Sequence, residues 1–136
     1  MAGFTDYLEA EILDHVFGAA AYTAPATLYI ALGTDATTPV EGGTGFTEPS
    51  GGAYARVAMT NNATNFPAAS GGAKTTGTDI TFPTATASWG TIRYVGIYDA
   101  DTAGHLLGWA QLAADQAIST NNIFKILAGD LDITLD

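Results

Sequence analysis

The chain of 136 residues has no cysteine, which excludes a disulfide framework, a thiolate metal site and a cysteine nucleophile. Bases are nearly as scarce. Four lysines and arginines stand against 14 acids, for a formal net charge of −10. So few cations cannot track a phosphate backbone, which argues against nucleic acid as a partner. An anionic membrane surface would repel the chain for the same reason. Long apolar runs are also missing: residues 16–22 form one of the longest, too short to cross a bilayer. Acids occupy residues 1–11 where a secretion signal would carry bases. The expectation is therefore a protein that is soluble as made, with its structure built by packing and hydrogen bonds alone.

Apolar residues make up 47% of the chain, enough for a sizeable core in one domain. One helix is legible at the start. Thr5 stands where a cap belongs, and Asp6 and Glu9 suit the positive end of the helix dipole. Phe4, Leu8, Ile12, Leu13, Val16 and Phe17 recur at helical spacing, and Gly18 is the expected stop. This apolar stripe needs a partner surface, in its own domain or in a neighbouring subunit.

Beyond Gly18 the apolar period changes from 3.6 to 2. Residues 27–32 alternate, with Leu28, Ile30 and Leu32 on one face. Residues 54–59, 79–82, 91–98, 105–112, 122–127 and 131–135 follow, separated by clusters of Gly, Asn and Asp. In the stretch 91–98, alternation sets Arg93, Val95 and Ile97 opposite Ile92, Tyr94 and Tyr98. About seven short strands in this pattern predict an antiparallel β-sandwich, jelly-roll or immunoglobulin-like. The expected layout is a single domain over 1–136, with a helix in 1–18 and the sandwich in 26–136. Two connections, 33–52 and 61–78, are longer than compact domains commonly carry. They read as arms that reach a partner or as hosts of an unrecognised short strand.

Few groups suggest chemistry. The Gly42–Gly45 stretch lacks the preceding strand, following helix and lysine of a phosphate loop. Asp99, Asp101 and Gly104 match the first half of a calcium loop, but Ala103 and Ala110 stand where ligands belong. A hairpin turn accounts better for these residues, with calcium at Asp99 and Asp101 left as an open question. His15 fits a helix terminus and His105 a hairpin, and no serine stands in a nucleophile elbow. No catalytic residue, cofactor site or metal site is assigned, and an enzyme is not expected. Trp89, Trp109, Tyr94 and Tyr98 read as core packing before they read as a sugar-binding platform.

The stretch from Gly3 through Thr5-Asp6-Tyr7-Leu8-Glu9 to Asp14-His15-Val16-Phe17-Gly18 resembles a family of small bacteriophage virion proteins, labelled tail-fibre-like or capsid decoration proteins. Tyr54-Ala55-Arg56-Val57, Ile80-Thr81-Phe82-Pro83, Ser88-Trp89-Gly90-Thr91, Gly96-Ile97-Tyr98-Asp99 and Leu106-Leu107-Gly108-Trp109 carry the resemblance onward, as does Gly129-Asp130-Leu131-Asp132 near the end. It implies a non-enzymatic virion protein, made in the host cytoplasm and carried on the outside of the capsid or on the tail. Capsid decoration, or cement, is the first expectation and a tail or fibre component the second. A carbohydrate-binding sandwich is a third. Expected partners are the phage major capsid protein or tail proteins, with association as a homotrimer that hides strand edges. Phe4 and Tyr7 on the helix, and Phe46 and Phe66 in the long loops, are the expected partner contacts.

Overall fold

A computed structural model describes residues 3–135. The expected bounds 1–18 and 26–136 include Met1, Ala2 and Asp136, which lie outside the described residues. In chain order the elements are β1 (Gly3–Phe4), α1 (Asp6–Phe17), β2 (Thr27–Gly33), β3 (Val57–Thr60), β4 (Ala73–Thr75), β5 (Ile80–Thr81), β6 (Gly90–Tyr98), β7 (Leu106–Ile118), β8 (Lys125–Ile126) and β9 (Asp132–Thr134). A five-stranded sheet runs β1-β7-β6-β2-β3, and two ribbons, β4-β9 and β5-β8, accompany it. Every pairing is antiparallel. The architecture is mainly β and sandwich-like with one N-terminal helix, as the alternating pattern predicts.

The central strands are covered on both faces. In β2, Ile30 and Leu32 enter the main core, beside Ile92, Val95 and Ile97 of β6 and with Phe66, Ile80, Phe82, Trp89 and Phe124. Ala31 points the other way, into a smaller cluster with Tyr94, Tyr98, Leu106 and Trp109. Alternation alone misplaces Ile92, which shares the core of Val95 and Ile97 rather than the side of Tyr94. The cause is an irregularity in the ladder: Ile92 faces Gln116, whereas Tyr94 faces Gln111. Extra residues on β7 interrupt the pairing there, and a bulge of this kind resets which way the side chains point.

Both long connections fold back onto the domain. In 33–52, Thr34 N–H donates to Thr47 O at 2.8 Å, and the Asp35 carboxylate accepts from the Thr47 N–H and hydroxyl. Phe46 lies over a hollow made by missing side chains. A Cβ on Gly96 would meet the Phe46 ring at 2.8 Å and Leu106 at 2.9 Å. In 61–78, Asn62 Oδ1 accepts from the N–H groups of Thr64 and Asn65, and Phe66 is buried. This loop also holds β4, which pairs with β9. Neither connection is a free arm.

Helix α1 begins and ends where expected, yet Thr5 does not cap it. The Thr5 hydroxyl donates to the carbonyls of Leu106 and Leu107, tying the chain to β7. The first turn instead gains the Glu41 carbonyl, which accepts from Asp6 N–H at 2.9 Å. Gly18 closes the helix at φ 90°, a left-handed conformation suited to glycine, and donates to Asp14 O. Phe4 precedes the helix and is buried in β1, so it is not part of the helical stripe.

Candidate interaction surface

The two ends of α1 are held very differently. Near its start, the Tyr7 ring stacks on His105 at 3.9 Å and 8°. Tyr7 and Leu8 pack against the main core. His105 is itself fixed: Asp99 Oδ1 accepts its backbone N–H at 2.7 Å, and its Nδ1 lies 2.9 Å from Asp99 Oδ2. Burial raises the Asp99 pKa, but hydrogen bonds from the His105 backbone and ring outweigh it and hold the carboxyl below its ordinary range. Near the helix end, the His15 Nδ1 accepts the Tyr22 N–H at 3.0 Å. Leu13, Val16 and Phe17 are 56%, 61% and 79% exposed. Spaced at i, i+3 and i+4, they share one face of the helix.

A second open surface follows β7. Strand β1 pairs only with Trp109 and Gly108, and no described strand pairs with that edge of β7 beyond them. A groove of about 690 Å³ lies there, lined by Leu112, Gln116, Ile123, Ile126, Asp130 and Asp132 among others. Ile123 and neighbouring Leu127 are both more than half exposed. Strand β3 forms the opposite edge of the sheet.

All four cations are engaged within the chain. The Arg56 guanidinium carbon lies over the Tyr98 ring, 3.6 Å from its centre, and the group grips both Glu48 oxygens through Nε and Nη2. Its Nη1 donates to the carbonyls of Ala100 and Ala103 at 2.6 and 2.9 Å. Glu48 also accepts from the Tyr54 hydroxyl at 2.7 Å, and burial pushes that phenol far above its ordinary pKa, so it remains a neutral donor. Arg93 bridges Asp115 and the Thr34 carbonyl, Lys74 donates to Phe66 O, and Lys125 meets Asp79 at 2.7 Å. The Lys125 ammonium, with help from the Ala128 N–H, holds the Asp79 carboxyl below its usual range.

This arrangement bears on the turn at 99–104. The Ala100 and Ala103 carbonyl oxygens face a guanidinium, and the Asp99 carboxylate is occupied by His105, so these oxygens serve the hairpin. Among the described residues, no three His, Asp or Glu side chains are grouped so as to hold a metal ion. No described helix is long and apolar enough to cross a membrane.

The expected contact residues are largely occupied at home. Phe4 and Phe66 are buried, Tyr7 is stacked on His105, and half-buried Phe46 packs edge-on against Tyr98. Burial here is physical: an isolated aromatic in a polar loop found a hollow in its own sheet. Trp89 and Trp109 are buried too, which removes them from any exposed sugar platform. Leu13, Val16 and Phe17, which were not among the expected contacts, are the large apolar side chains that α1 leaves exposed. Their signal was the width of the helical stripe, broader than one packing face can cover.

A family model described as Podophage GP4 fiber I protein gp80 matches residues 3–134. The chain belongs to that family. Membership of this fiber I family makes it a phage fibre-type virion protein, consistent with the resemblance in the sequence. The match spans both the helix and the sheet. No curated protein matches the chain.

Proposed function

We propose that this protein is a non-enzymatic structural component of a phage fibre, carried on the tail and in contact with other tail proteins. The observation that supports this reading is the fibre family's match across residues 3–134. A fibre part needs rigid packing and surfaces that engage neighbours. The double-sided core serves the first need, and the helix end and open sheet edge serve the second. Association as a homotrimer belongs to the same proposal, because pairing at the outer edge of β7 or β3 would cover backbone groups that otherwise invite indiscriminate strand addition.

The decisive measurement is location and copy number in purified particles, by immunogold microscopy and quantitative mass spectrometry. The expected result is a small number of copies at the tail. Copies spread over the head in proportion to the shell subunits would overturn the fibre reading in favour of capsid decoration.

A further inference from the structure

We propose that the exposed face of α1 docks on a different protein whose surface is apolar at its centre and rimmed with lysine and arginine. The identity of that protein as a virion neighbour rests on the fibre reading, whereas the chemistry of the contact rests on this chain alone. The face comprises Leu13, Val16 and Phe17, each more than half exposed. Three large side chains side by side approach the largest apolar patch of an ordinary monomer, roughly 300–600 Å². That is short of the roughly 800 Å² per partner of a stable interface, so the surrounding groups must take part.

Those surrounding groups are acidic. Glu9 lies four residues before Leu13 and Asp14 three before Phe17, bordering the apolar face, and Asp6 stands one turn before Glu9. No lysine or arginine occurs in the sequence before Arg56. A second copy of this chain would be a poor occupant. The same face of that copy carries the same acids, and its four cations are each held by an internal carboxylate or carbonyl. A basic rim, by contrast, would meet helix carboxylates that no lysine or arginine of the described residues pairs, and charge complementarity fixes both partner choice and orientation.

The test uses the full-length chain and two synthetic amphipathic helical peptides with the same leucine face, one with lysines on its polar face and one with glutamates. Binding is followed by calorimetry and by amide chemical shifts. The lysine peptide should perturb residues 13–17, weaken several-fold as salt is raised, and bind at least tenfold more tightly than the glutamate peptide. The double variant Leu13→Ser/Phe17→Ser should lose binding at least tenfold while keeping the wild-type unfolding midpoint. Three results would overturn the proposal: equal binding of both peptides, undiminished binding to the double variant, or shifts centred on residues 123–127. Sedimentation showing a wild-type oligomer that the double variant breaks would also overturn it, assigning the face to a second copy. Absence of the chain from purified particles would refute the fibre reading and leave the peptide result standing.

Discussion

Strand β6 and helix α1 are both rich in large apolar residues, yet one is enclosed and the other half bare. In β6, residues 94–98 are all buried, because neighbours cover the strand on both faces and along both edges. In α1 no residue is fully buried. The helix touches the domain along one side near its start and extends beyond the surface that would cover its far end. Apolar content therefore does not identify the core here. What separates the two elements is the number of surfaces that the rest of the chain brings to each.

The sharpest way to test this contrast is to delete side-chain volume on each side of it. Ile92→Ala in β6 removes a fully buried branch and should cost about 3–4 kcal/mol in denaturant unfolding. A loss below 1 kcal/mol would mean that the strand is far less enclosed than it looks. Next in size is Arg56→Met, which leaves Glu48 without its cation and takes the guanidinium away from the Ala100 and Ala103 carbonyls. The Arg56 side chain is only 7% exposed, so the loss should be about 3 kcal/mol. High salt should restore little of it.

A smaller effect tests the tether between the two regions. Asp99 holds His105, on which Tyr7 stacks, so Asp99→Asn should cost about 1–2 kcal/mol at neutral pH. The folded carboxyl titrates below its ordinary value. Its contribution is present above the unfolded value, about pH 4, and is lost as the pH falls through the lower folded value. The gap between wild type and variant should therefore narrow on acidification, which urea titrations at several pH values would show. The smallest effect is expected on the bare face: Phe17→Ser should change stability by no more than about 0.5 kcal/mol. A larger loss would mean that the helix end packs on its own domain in solution.

Much of the fold was legible because its signals are local. The helix, β2, β6 and the turn at 99–104 were all readable from residues within one element or turn. Apolar period, glycine at a left-handed position and an aspartate that closes a hairpin each act over a few residues. The parts missed depend on distant partners. The stretch Ala73-Lys74-Thr75 shows no alternation and becomes a strand only because β9 lies beside it. Gly3 and Phe4 join the sheet through Trp109 and Gly108. The bulge that turns Ile92 reflects extra residues on β7, invisible from β6 itself. For the interaction surface, the sequence showed the apolar residues of the helix but not which of them remain uncovered.

The scarcity of bases illustrates the division most clearly. From the sequence alone came the net charge of −10, the absence of cysteine chemistry and a helix that carries acids but no lysine or arginine. Those are sums and short-range patterns, independent of how the chain folds. Only the tertiary structure decided that each of the four cations finds a partner within the molecule, and that Leu13, Val16 and Phe17 remain uncovered. Such outcomes depend on contacts like that of Thr5 with Leu107, 102 residues apart, whose formation rests on the packing of everything between.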